Sequence, residues 1–177
     1  MHINAKKMAL GGLLLALTEI FLLLGSVIEM NTLFLLAAAS YFIGIMIREA
    51  GMGTGIAFYI AGVLLGILLT PNIFYVCSYA AMGFYIVVTE AGWRAVGKLT
   101  GEKKRLVLVW VIKFLTFNLV FAAVLLFFSE LLFLKKMTAL LWAGVIAAGQ
   151  VGWLLYDRAY EWTQIHFWNR MRNRMGK

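Results

Sequence analysis

Residues that cross-link chains, break helices or bind metals are nearly absent here: one cysteine, one proline, one aspartate and two histidines in 177 residues. Cys77 cannot form an internal disulfide, and a single thiol within an apolar helix reads as a small core residue. His2 and His166 lie near opposite ends of the chain, so no short-spaced zinc ligand set exists. Asp157 stands alone, which removes intramembrane proteases built on paired aspartates. A serine nucleophile would need a base at its own depth, and none shares it. The expectation is a chain that is not an enzyme and carries no cofactor or metal.

Charge is scarce as well. Charged residues make up 14% of the chain against 63% hydrophobic, and the mean hydropathy is +0.89. A water-soluble protein of this size cannot hide so much apolar surface. A membrane span needs about 20 mostly apolar residues to cross a hydrocarbon core of about 30 Å. Six stretches approach that length: about Met8 to Ile28, Thr32 to Ile47, Gly53 to Leu69, Ile73 to Val88 with helix continuing past Glu90 and Arg94, Leu106 to Phe128, and Thr138 to Tyr156. They are continuous rather than alternating, which excludes barrel strands. The first follows Lys6 and Lys7 with no small-x-small cleavage site and a polar mature region behind it, so it reads as a span rather than a signal. The expected fold is an all-α membrane protein. Residues 1–156 form a single bundle of six transmembrane helices, and residues 157–177 a cytoplasmic basic tail folded as an amphipathic helix.

The net charge of +8 could suggest nucleic acid, but its placement suits a membrane instead. With the N-terminus inside, only Lys135 and Lys136 fall outside and Lys113 falls within the fifth span; every other Lys and Arg is cytoplasmic. The expected location is therefore the cell (cytoplasmic) membrane, multi-pass, with both termini cytoplasmic and no nucleic-acid partner. Beyond Tyr156, Trp162, Ile165, Trp168, Met171 and Met175 recur every three or four positions, among Arg158, Glu161, Arg170, Asn173 and Arg174. That pattern fits a helix lying in the inner leaflet, or one that docks a partner.

Small residues four apart mark faces where helices in lipid approach closely. They occur at Gly12-xxx-Ala16, Ser40-xxx-Gly44, Gly51-xxx-Gly55, Ala57-xxx-Ala61, Gly62-xxx-Gly66 and Gly144-xxx-Ala148-xxx-Gly152. Packing within the chain is one use; docking of another subunit, above all by the first span, is the other. Gly51-Met52-Gly53-Thr54-Gly55 lacks both a preceding strand and a Gly-Lys-Ser/Thr, so it reads as a flexible turn rather than a phosphate loop.

Ionisable residues at membrane depth are costly and are functional candidates. Glu19 lies about 16 Å from the cytoplasmic boundary, Lys113 about 10 Å and Gln150 about 12 Å at 1.5 Å per residue. Asn118 is near the level of Glu19, and Glu90 is closer to the boundary. Together these can form one polar layer. Glu19 with Lys113 is the most economical ion pair, with Glu90 competing for the same ammonium. A register-fixing pair, a ligand-lining role and a proton relay all remain open. Tyr75, Tyr79 and Trp142, in the outer halves of their spans, can offer a stacking surface or belong to the aromatic belt.

The opening Ala9-Leu10-Gly11-Gly12-Leu13-Leu14-Leu15-Ala16-Leu17 is similar to the small-residue first helix of the substrate-binding S components of energy-coupling-factor (ECF) transporters. Six spans, cytoplasmic ends and short length also resemble that group. Asn31-Thr32-Leu33-Phe34-Leu35-Leu36 and Tyr59-Ile60-Ala61-Gly62-Val63-Leu64-Leu65-Gly66 resemble the related YybS-like membrane proteins. In these transporters an Ala-xxx-Ala pair of the first helix docks on the transmembrane coupling subunit; Gly12-xxx-Ala16 holds that spacing here. The resemblance implies capture of a small-molecule ligand from outside, with energy from separate ATPases. Entry would be near Glu29-Met30-Asn31, Thr70-Pro71-Asn72 and the segment from Ser129 to Lys136. The contrasting expectation is a non-transporting scaffold or cell-envelope assembly factor. A self-sufficient channel or secondary transporter fits less well, because no inverted repeat is evident.

Overall fold

A computed structural model describes residues 5–28, 31–97, 101–132 and 139–168. Six α-helices fill them: α1 (Ala5–Val27), α2 (Thr32–Ala50), α3 (Met52–Leu69), α4 (Ile73–Val96), α5 (Glu102–Leu132) and α6 (Ala139–Trp162). A π-helical stretch, Thr163–Trp168, extends α6. No strand occurs among the described residues. Five helices, α1 to α5, are long and apolar enough to cross a membrane. This composition is compatible with an integral membrane protein, and the helices would then contact lipid. Leu68 and Phe34, exposed by 79% and 74%, have the apolar exterior that water penalises and lipid does not.

Two compact units make up the chain, Met1–Val109 and Trp110–Lys177. Tyr156, where composition placed the end of the bundle, is not an element boundary: α6 runs through it to Trp162. Of the expected amphipathic tail, Trp162, Ile165 and Trp168 fall in described helix, whereas Met171 and Met175 lie outside the described residues. So do Glu29, Met30, Lys135 and Lys136 of the expected outer loops.

In the first unit α2 is the most enclosed element and meets α1, α3 and α4. Its buried residues Leu36, Ala39, Ser40, Ile43 and Ile47 recur at three and four positions, the period of a helix face. On α3 the buried positions are Gly55, Phe58, Gly62 and Gly66, so three of the predicted small residues serve packing within the chain. Cβ atoms added at Gly62 and Gly83 would stand 2.6 Å from the Tyr79 hydroxyl and the Ile43 Cδ1, respectively. The Thr18 hydroxyl bonds the preceding turn, donating to the Leu14 carbonyl at 2.9 Å. Cys77 departs from expectation: it is exposed, on the outward side of α4.

The connections explain the helix ends. Gly51 takes φ 98° while its N–H bonds the Ile47 carbonyl at 3.1 Å, closing α2 one residue before α3 begins. A side chain at positive φ is strained, so Gly51→Ala is expected to lower stability by about 1–2 kcal/mol, read as a shift in the denaturant midpoint in detergent. Pro71 has no N–H to continue α3. The Thr70 amide instead bonds back to Gly66, and Asn72 caps α4 by accepting from the Phe74 N–H at 3.0 Å.

Candidate functional site

Polar side chains inside the first unit form two groups. At the α2–α3 turn, Arg48 donates from Nε (2.8 Å) and Nη2 (2.5 Å) to one oxygen of Glu90, which is 5% exposed. Arg94, one turn beyond Glu90, donates from Nη2 to the Ile47 carbonyl at 2.6 Å. That carbonyl is among the last of α2, where a cation meets the negative end of the helix. Two arginines and one carboxylate thus tie α2 to α4. Glu90 was expected to compete for Lys113; the structure gives it Arg48 instead.

Glu19 forms the other group, and its surroundings follow from the small-residue packing. Leu22 of α1, Gly66 of α3 and Val76 of α4 share a layer, since a Gly66 Cβ would lie 3.1 Å from Leu22 Cδ1 and 3.3 Å from Val76 Cγ1. One turn along each helix brings Glu19, Gly62 and Tyr79 together. Tyr79 is fully buried, within electrostatic reach of the Glu19 carboxylate, and its ring lies 6.5 Å from that of Tyr59 at 48°. Tyr59 donates its own hydroxyl to the Ala80 carbonyl at 2.8 Å. Both Glu19 oxygens and the Tyr79 hydroxyl are buried with no hydrogen-bond partner. Leaving such groups unmet is expensive, most of all for a charge.

In the second unit Lys113, 1% exposed, donates to Asp157 at 3.0 Å and to Glu161 at 2.5 Å. Its partners are therefore α6 carboxylates, and the expected pair with Glu19 gives way to them. Asp157 and Glu161 are one helical turn apart; Asp157 presents both oxygens and Glu161 its Oε1 to one ammonium. Arg158 lies 3.9 Å from Glu161 and 5.5 Å from the Trp110 ring centre, supplying a second positive charge to the network. Asn118 and Gln150 do meet, with the Gln150 amide donating to Asn118 at 2.9 Å. Around them Trp153 packs on Trp110, Phe114 and Phe117 at 5.5–5.9 Å between ring centres.

No family model, curated protein or solved structure matches this chain.

Of the remaining candidates, Tyr79 belongs to the interior rather than to an aromatic belt, whereas Tyr75 and Trp142 are only half-buried. Gly12 and Ala16 are exposed, and among the described residues nothing lies within 4 Å of a Cβ placed at Gly12. No cluster of three or more metal-binding side chains occurs among the described residues. Sequence reasoning missed Arg48, Tyr59, Asp157 and Glu161. The i, i+4 spacing of Asp157 and Glu161 was a signal for one ammonium; assigning them to the tail concealed it.

Proposed function

We propose that this chain is a substrate-binding subunit of the S-component type, set in the cell membrane with six spans and both termini cytoplasmic. It takes a small solute and works with a separate transmembrane coupling subunit and ATPases. The observation that carries the reading is Glu19: a carboxylate 7% exposed within a four-helix unit, neither oxygen hydrogen-bonded. Structural carboxylates in this chain are paired, as Glu90, Asp157 and Glu161 are. Glu19 is built in without such a partner, as a binding group is. The open Gly12-xxx-Ala16 face supports the second half of the proposal, because other small-residue positions, Gly55, Gly62 and Gly66, are used up internally.

Purification from the native host in mild detergent tests this. A coupling subunit and two ATPases are expected to co-elute, and Gly12→Leu is expected to lower their recovery about tenfold, equivalent to about 1.4 kcal/mol. Ala148→Leu should leave it unchanged. A second reading, a non-transporting scaffold, draws on the exposed Gly144-xxx-Ala148-xxx-Gly152 face of α6, where none of the described residues lies within 4 Å of either glycine's added Cβ. Recovery with cell-envelope assembly proteins alone, lost in Ala148→Leu and kept in Gly12→Leu, would favour it.

A further inference from the structure

Resting on the solute-binding reading, we propose that Glu19, Tyr79 and Tyr59 receive the primary ammonium group of that solute. Three oxygen acceptors at one level of the unit lack partners: both of Glu19 and the hydroxyl of Tyr79. A primary ammonium carries three N–H donors on a single positive charge, one for each. The Tyr59 and Tyr79 rings, 6.5 Å apart, add faces that attract a cation, an effect that strengthens where water is excluded.

Other occupants satisfy the site less completely. A proton on Glu19 removes the charge but leaves the second carboxyl oxygen and the Tyr79 hydroxyl unbonded, and buried unmet polar atoms cost about 1–3 kcal/mol each. An alkali-metal ion seeks about six oxygens, as hard cations do. Even if Thr18, which donates to the Leu14 carbonyl, lends its oxygen, the Glu19 and Tyr79 oxygens bring the count only to four. The two arginines that tie α2 to α4 do not serve either. Arg48 bonds Glu90, and Arg94 bonds the Ile47 carbonyl, both at the far end of α2. The residues placed beside Glu19 on the neighbouring helices, Gly62 and Tyr79, carry no positive charge, and neither do Gly66 and Val76 one turn away. The proposal therefore assigns the positive charge to the solute.

The test is thermal unfolding of the full chain in lipid nanodiscs at constant ionic strength. Methylammonium and n-butylammonium chloride are compared with sodium, potassium and tetramethylammonium chloride, each over pH 5.5 to 8. The expected result is a concentration-dependent rise in Tm with the two primary ammonium salts only. Glu19→Gln should abolish it, and Tyr79→Phe, which keeps the ring, should weaken it about tenfold in apparent Kd. Should Glu19→Gln fail to fold, Tyr79→Phe carries the test on its own. Equal stabilisation by sodium or potassium, or stabilisation by acid alone, overturns the proposal, as does a response identical in wild type and both variants. The coupling-subunit recovery above is independent of these measurements, so an S-component whose solute carries no ammonium would pass that assay and fail this one.

Discussion

Lys113→Met is expected to cost about 3–5 kcal/mol of stability, because it removes the ammonium that two α6 carboxylates share inside the second unit. Asp157 is 1% exposed and loses its ammonium partner outright; Glu161, 32% exposed at its side chain, keeps the more distant Arg158. The larger share of the loss therefore belongs to Asp157. Neutralising the partners should recover much of it, so Lys113→Met with Asp157→Asn and Glu161→Gln is expected to unfold closer to wild type. An ion pair replaced by uncharged groups of similar size often costs little, since the desolvation of three charges disappears with their attraction. Unfolding in mixed micelles of rising sodium dodecyl sulfate content measures both variants. Equal loss in the single and triple variants would show that the buried charges are not its origin.

Gly55→Ala should be the more damaging of two glycine-to-alanine substitutions made two residues apart on α3. Its added methyl overlaps Ile47 Cγ1 and comes to 2.9 Å from the Ile47 Cα, a backbone atom that cannot rotate away. Overpacking of this kind costs about 1–3 kcal/mol, more than the roughly 1 kcal/mol that alanine gains over glycine within a helix. At Gly53, by contrast, an added Cβ meets nothing within 4 Å. Gly53→Ala is expected to be neutral or stabilising, and the opposite signs of the two variants form the prediction. Both are read from the same unfolding titration; a common sign would mean that the α2–α3 approach is not tight at Gly55.

Helix boundaries were legible because local chemistry sets them. The stretch from Thr32 to Ile47 became α2 (Thr32–Ala50), and that from Gly53 to Leu69 became α3 (Met52–Leu69). Gly51 and Pro71 mark these ends in any environment, as a positive φ and a missing N–H do. Side-chain partners were not legible in the same way. Counting residues from a boundary gives depth, and depth placed Glu19, Lys113 and Asn118 in one layer. It says nothing about which way each helix is turned, so the Glu19–Lys113 pairing was chosen on height alone. Where partners were read correctly, as the small residues of α3 were for packing, the signal was a repeated spacing that fixes a face. Glu90 shows the same limit from another side: Arg48 and Glu90 are far apart in sequence, and only the packing of α2 on α4 brings them together.

Because Pro71 falls between α3 and α4, the helices described here contain no proline, and with it they lack the usual origin of a sharp bend. Access of a solute to Glu19, as proposed, would then come from helices shifting as stiff rods along their glycine tracks, Gly62 past Tyr79 and Gly66 past Leu22. Bulk added on those tracks would slow such sliding in both directions alike.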